Sequence, residues 1–464
     1  MLAFAIIGYL LLTMLLGVWA SKKVKNSKDF MLAGRQLPLF LSASALFATW
    51  FGSETIFGAS SEYLEHGLLG VMEDPFGGAL CLLLFGLFYL KPIYRMNLMT
   101  LGDVFLELYG KRVEFLTAIF MVPAYFGFVA AQLVALSLIL GAVTGISLTM
   151  GIIISAVIVV VYTFLGGMWA ISITDFVQTL IIIIGLVWVA VLVINKAGGI
   201  VPILSQAPEG SFQFFPPPEP KAWFNYLGAW AIIGLGSIPS QDIYQRVMSA
   251  KSERVARTSL YLAALFYLTF GLFPLFIALG AKVLYPELYL ANPQMLLPEM
   301  VLQHGGLAIQ IIFFGALCSA IMSTTSSVML APAAIIGENI IKPALKVKLT
   351  DQKLLLLLRL NILFVAIVAT TLASWSSNIY ELIGESSMLL LVSLFVPLTA
   401  GLYWKRSSSA GAILAISFGL LSYLILYSMD LAVPAHLSAT GFSALGMVLG
   451  SFSFPKTPLH ASLS

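Results

Sequence analysis

The chain has 464 residues, of which 60% are hydrophobic and only 10% charged, with a mean hydropathy of +0.99. Soluble domains carry ~25% charged residues, so an ordinary soluble fold is excluded, and a net charge of +3 gives no indication of a nucleic-acid partner. None of His66, His304, His436 and His460 shows metal-ligand spacing, and neither a phosphate loop nor a nucleophile–base pair occurs, so nothing points to an enzyme.

Segments of about twenty apolar residues cross ~30 Å of hydrocarbon as helices. About thirteen are expected, over 2–20, 37–63, 76–93, 115–141, 149–166, 172–194, 222–240, 257–281, 302–335, 354–374, 378–404, 409–428 and 432–453. The reading is therefore an all-α integral membrane protein, with a lipid bilayer around one membrane domain over 1–464. The first segment, Leu2–Ala20, is followed rather than preceded by its basic cluster, the reverse of a cleaved signal peptide. It reads as a retained helix with its N-terminus outside. Cys81 and Cys318 both fall inside apolar segments, so a structural disulfide is not expected.

The gaps carry a charge pattern. Twenty-one of the 24 Lys and Arg residues lie in alternate gaps: Lys22, Lys23, Lys25, Lys28 and Arg35, then Lys91, Arg95, Lys111 and Arg112. Arg246, Lys251, Arg254 and Arg257 follow, then Lys342, Lys346, Lys348, Lys353 and Arg359, then Lys405, Arg406 and Lys456. The opposite gaps hold only Lys196, Lys221 and Lys282. Basic loops stay cytoplasmic, which places the C-terminus inside. The longest external connection, 195–221, contains Pro216-Pro217-Pro218 and is expected to be an ordered or extended cap. Exposed loops carry no Asn-x-Ser/Thr acceptor, consistent with a prokaryotic source and its inner (plasma) membrane.

Two segments are interrupted. Segment 37–63 carries Gly52-Ser53-Glu54-Thr55, and 222–240 carries Gly234, Gly236 and Pro239 before Ser240-Gln241-Asp242. Gly in a membrane helix also serves close packing. Interruptions at matching positions of two five-helix sets, 37–194 and 222–404, instead mark an inverted-repeat transporter with a midplane site. In this arrangement 2–20 is an added helix and 409–453 supplies two more.

Intramembrane carboxylates cost ~2.5–3.5 kcal/mol on insertion scales, which makes each a functional candidate. Glu54, in the first interruption, is read as a substrate or cation contact, or as a salt bridge or cap. Asp175 is an ion-exit residue, or a cap or snorkelling group at a cytoplasmic helix end. Glu73-Asp74-Pro75 reads as a cap at a helix start, and Asp242 with Arg246 as an i,i+4 ion pair. The run Ser323-Thr324-Thr325-Ser326-Ser327 exceeds what back-bonding to i−4 carbonyls requires. With carbonyls from an unwound segment, such hydroxyls make a neutral oxygen cage suited to an alkali cation.

Several motifs together resemble the sodium:solute symporter family, from about residue 30 to residue 406. They are Ala33-Gly34-Arg35, Ala48-Thr49-Trp50-Phe51-Gly52, Thr163-x-x-Gly166-Gly167-Met168 and Ile173-Thr174-Asp175-Phe176-Val177-Gln178. Gly236-Ser237-Ile238-Pro239-Ser240-Gln241-Asp242, Gln245-Arg246-Val247 and Ala320–Ser327 complete the set. The resemblance implies a LeuT-type 5+5 inverted repeat preceded by one extra helix. It also implies sodium-coupled uptake of a small-molecule solute by alternating access, with no obligatory protein partner. A sodium ion would be bound by the carbonyls of Ala48, Phe51 and Ala320 and the hydroxyls of Ser323 and Thr324, with Asp175 on its exit route. The solute would lie beside Trp50, Glu54, Ser240 and Gln241. Ala48-Thr49-Trp50, Lys91-Pro92, Tyr109-Gly110-Lys111-Arg112 and Gln241 to Arg246 resemble the high-affinity choline transporter branch. Ser240 departs from that branch, which carries Trp there, and so does Glu54, where the branch is uncharged. An organic cation or zwitterion is thus placed ahead of a neutral or anionic solute such as a sugar or carboxylate. A transporter-like sensor is the alternative class, disfavoured by the short tail ending at Ser464.

Overall fold

The computed structural model describes residues 1–345, 349–375, 379–429 and 431–455. Lys346, Lys348, Lys456 and His460 lie outside them. Among the described residues every regular element is helical, apart from one parallel bridge between Leu37 and Ala250. Nine helices among the described residues are long and apolar enough to cross a membrane, and Leu39–Trp50 and Leu148–Val161 are shorter apolar helices. This differs from a count of about thirteen because interruptions divide some segments and connections fuse others. Segments 149–166 and 172–194 are two helices joined at a sharp kink, where Gly167 takes the non-helical φ +49° and ψ −152°.

Both anticipated interruptions are present. The first broken span is Leu39–Trp50, an interruption at Phe51 and Gly52, then a π turn Glu54–Gly58 running into Ala59–His66. The second is Pro220–Gly234, an irregular stretch to Ser240, and Gln241–Ser249. Local chemistry explains where they break. A Cβ on Gly52 would lie 2.6 Å from Glu54 Oε2 and 2.8 Å from Thr324 Oγ1, so the chain must pass there without a side chain. At Gly236 a Cβ would meet the Ile232 and Ser387 carbonyls at 2.2 and 2.6 Å.

The broken spans are tied together. Leu37 N–H donates to the Ser249 carbonyl and Lys251 N–H to the Leu37 carbonyl, both at 3.0 Å. Against them packs the hydroxyl-rich helix Leu307–Ile335, buried continuously from Phe313 to Ile335. The kinked pair Leu148–Lys196 and Lys111–Thr144 close the core around it. Leu2–Ser21 lies outside this core with most of its apolar surface exposed, as a lipid-facing helix would. The connection 195–221 is ordered: it forms Ile200–Ser205 and meets the turn after His66, where Leu68 N–H donates to the Ser211 carbonyl at 3.0 Å.

One charge assignment needs correction. Arg246 is not a loop residue; it is 1% exposed at the centre of the fold. Its Nε donates to the Ala45 carbonyl (3.0 Å) and Nη1 to the Asp242 carbonyl (3.1 Å), while Nη2 reaches Ser327 Oγ and stands 4.0 Å from Asp175 Oδ2. A guanidinium can satisfy several elements at once because its donors are fixed in a plane. Here it joins both broken spans to the hydroxyl-rich helix.

Candidate functional site

The site grows out of the first break. A helix leaves its last carbonyls without intrahelical partners, and here two are taken from across the core. The Ala48 carbonyl accepts from Thr324 Oγ1 (3.2 Å), and the Trp50 carbonyl accepts from the Tyr267 hydroxyl (2.8 Å). Phe51, at φ −87° and ψ 75°, ends the helix. On the facing helix Ala320, Ser323 and Thr324 stand at i, i+3 and i+4, one side of one turn, and all are at most 1% exposed. Ser323 Oγ donates to Asp175 Oδ1 at 2.5 Å. Ala48, Thr324, Ser323 and Asp175 therefore form a linked chain of oxygens in a dry interior.

Of the other hydroxyls in the run, Thr325 bonds to Ile321 O and Ser326 and Ser327 to Ser323 O. Those three satisfy their own helix, and Ser327 also serves Arg246. Ser323 and Thr324 instead donate to other elements.

Next to this cluster lies a small cavity of about 40 Å³, lined by Trp50, Glu54, Asp74, Tyr125, Ser240, Asp242, Tyr267 and Thr324, among others. Thr324 belongs to both the oxygen cluster and the cavity wall. Glu54 Oε2 accepts from Gln132 Nε2 (2.9 Å), whose Oε1 in turn receives the Ser53 N–H (3.1 Å). Trp50 meets Tyr267 edge to face, centroids 6.2 Å apart. Among the described residues, no hydrogen-bond partner is found for Trp50 Nε1, Asp74 Oδ2, Ser240 Oγ or Ser387 Oγ, all lining this cavity.

Trp50, Glu54 and Ser240 are thus brought together, but Gln241 is not with them. Its Oε1 accepts the Leu101 N–H at 2.7 Å, holding the helix Leu101–Tyr109 rather than facing the cavity. Asp74 is also placed differently from a surface cap. It is 1% exposed, lies at φ −143° inside an irregular turn, and its Oδ1 contacts the Tyr267 hydroxyl. Asp242 gives Arg246 its backbone carbonyl, and its carboxylate accepts from Tyr125 (2.7 Å). Asp175 is wholly buried against Ser323 rather than reaching out to solvent. Sequence reasoning passed over Tyr125, Gln132 and Tyr267. Gly77-Gly78 after Asp74-Pro75 was the available sign that this segment too is irregular.

The sequence profile described as "Sodium:solute symporter family" matches residues 30–419. The chain belongs to the sodium:solute symporter family. It is 29% identical over 447 residues to the human high affinity choline transporter 1, covering 90% of this chain and 75% of that protein. With the high-affinity choline transporter 1 of Torpedo marmorata it shares 30% over 449 residues, again 90% and 75% of the two chains. The sodium/glucose cotransporter of Vibrio parahaemolyticus is 24% identical, over 90% of this chain and 83% of that one. Among solved structures, a Na+-coupled sialic acid symporter in a substrate-bound outward-open state superposes with a TM-score of 0.86 at 19% identity, covering 99% of each chain. A nucleobase-cation-symport-1 family transporter gives 0.63 at 17% identity, over 93% and 96%. The fold is accordingly the LeuT-type helical membrane fold. This symporter is a multi-pass membrane transporter that couples a small solute to sodium, and is not an enzyme.

Proposed function

We propose that the protein imports a small organic cation with sodium by alternating access. The observation that carries this reading is the double membership of Thr324. Its hydroxyl reaches the Ala48 carbonyl and its side chain walls the cavity beside Trp50 and Glu54, so the two sites share an atom group. A sodium ion bound by the carbonyls of Ala48, Phe51 and Ala320 and the hydroxyls of Ser323 and Thr324 would fix the first broken span against the hydroxyl-rich helix. That contact forms one wall of the solute cavity, which is how ion binding would raise solute affinity. Asp175, already bonded to Ser323, would receive the ion on its way inward.

An organic cation is favoured because Glu54, Asp74 and Asp242 all line the cavity together with Trp50, Tyr125 and Tyr267. Carboxylates and aromatic faces both attract cations. The choline-transporter relatives support a solute of that class, although Ser240 lacks the Trp of that branch. The LeuT-type arrangement would group 37–194 and 222–404 as two inverted repeats within one membrane domain, with 2–20 before and 409–453 after. Counting each broken span as one crossing then gives about thirteen. The N-terminus would lie outside and the C-terminus inside a prokaryotic inner (plasma) membrane. The test is a screen of labelled organic cations, zwitterions and sugars for uptake into proteoliposomes with and without an inward sodium gradient. Sodium-dependent uptake of a cation is expected; uptake confined to sugars or carboxylates would overturn the cation assignment.

A further inference from the structure

We propose that the solute is a small organic dication whose charged nitrogens carry N–H groups, a short alkyl diamine rather than a quaternary ammonium or an amino acid. This rests on the symporter reading above and names its substrate class.

The first argument comes from the two half-helices. In broken-helix transporters the N-terminal ends of half-helices point at anionic groups of the substrate. Here each such end already carries a carboxylate of the chain itself. Glu54 opens the helix after the first break, and Asp242 is the second residue of Gln241–Ser249. The nearby amide donors are engaged as well. Ser53 N–H donates to Gln132 Oε1, and the N–H groups of Gln241 (2.7 Å) and Asp242 (3.1 Å) donate to the Tyr125 hydroxyl. A carboxylate on the solute would meet like charge and donors already in use.

Asp74 supplies the second argument. Its Oδ1 lies against the Tyr267 hydroxyl, whose one proton is shared with the Trp50 carbonyl, and its Oδ2, at the cavity wall, has no hydrogen-bond partner among the described residues. Ser240 Oγ and Ser387 Oγ are in the same position, and all three residues are at most 4% exposed. A buried acceptor without a donor is costly, and a carboxylate most of all. A quaternary ammonium has no N–H to offer; a protonated amine has up to three.

Charge provides the third. Glu54, Asp74, Asp175 and Asp242 are each at most 7% exposed, and among the described residues Arg246 is the one basic side chain buried with them. An uncompensated buried charge is strongly unfavourable. With all four carboxylates ionised, one sodium ion together with a doubly charged solute would bring this interior to neutrality, whereas sodium with a singly charged solute would leave it anionic. Trp50 and Phe128 offer apolar wall for a short methylene spacer between the two ammonium groups.

The test titrates the full-length protein, in sodium and in potassium, with 1,4-diaminobutane, n-butylamine, choline and 4-aminobutyrate, reading tryptophan fluorescence. In sodium, 1,4-diaminobutane should bind at least about tenfold more tightly than n-butylamine, the scale of one added charge-assisted hydrogen bond. Choline and 4-aminobutyrate should bind more weakly than either. Asp74→Asn should bring the diamine-to-monoamine ratio near one while Asp74→Glu keeps a preference. Sodium-dependent thermal stabilisation of each variant would show that it is folded. Equal affinity for the two amines, choline binding as tightly as the diamine, or an unchanged ratio in Asp74→Asn would each overturn the dication. With sodium dependence retained, those outcomes leave sodium-coupled symport standing. Binding of none of the four also overturns the dication, and sodium-driven uptake then decides the symporter reading separately.

Discussion

Glu54, Ser323, Thr324 and Trp50 could be singled out in the sequence because each violates a local expectation: a carboxylate in a break, hydroxyls in excess, an aromatic beside a glycine. Asp74 and Arg246 could not, because each has an ordinary local explanation, a helix cap and a basic loop. Only the packing of distant helices shows that both are buried. Gln241 illustrates the opposite error, since its neighbour Ser240 lines the cavity while its own side chain serves the Leu101 amide. These placements carry separable consequences. Ser323→Ala with Thr324→Ala removes two of the oxygen ligands from the proposed cation cage. The sodium concentration for half-maximal uptake should rise at least about tenfold, with a smaller change in the solute concentration needed. Equal effects on both would refute the cage. Glu54→Gln should abolish binding of a cationic solute yet preserve the sodium-dependent fluorescence change; transport unaltered in the folded fraction would make Glu54 structural. For Trp50, cation–π attraction of ~0.5–2 kcal/mol predicts solute affinity falling from Trp to Phe to Leu, over a total of ~2- to 30-fold. Near-equivalence of Phe and Leu in direct binding measurements would point to size alone.

The interruptions are where sequence and structure agree most closely at the scale of elements. Gly52-Ser53 and Gly234 to Pro239 were legible because glycine and proline weaken a helix wherever they stand. The same holds at Gly166-Gly167, where two separate segments were expected and Gly167 takes the non-helical φ +49° and ψ −152°. The first break can be tested as an element. Gly52→Ala places a methyl group within 2.6 Å of Glu54 Oε2 and 2.8 Å of Thr324 Oγ1, at the joint between cavity and oxygen cluster. Overpacking of this kind costs ~1–3 kcal/mol. Weakened affinity for sodium and solute together, by at least about fivefold, is expected in binding titrations. Gly8→Ala, with nothing within 4 Å of the added carbon, should change neither. Indistinguishable titration curves for the two variants would show that the break is not confined as described.

Across the whole molecule, one arrangement joins chemistry to motion. Arg246 bonds the Ala45 carbonyl of the first broken span and Asp242 of the second, and it contacts Ser327 on the hydroxyl-rich helix. Thr324 is one turn from Ser327 on that helix, so ion site, solute cavity and the joint between the broken spans share one buried interface. Coupling requires that each ligand bind one conformation better than the other, and a shared interface is where that preference can arise. The most direct measurement follows labelled sodium into proteoliposomes as solute is added. Solute should drive sodium entry in a fixed proportion, and Ser323→Ala with Thr324→Ala should shift that entry to at least about tenfold higher sodium. Solute that enters equally fast with potassium replacing sodium, carrying no labelled ion with it, would contradict the account.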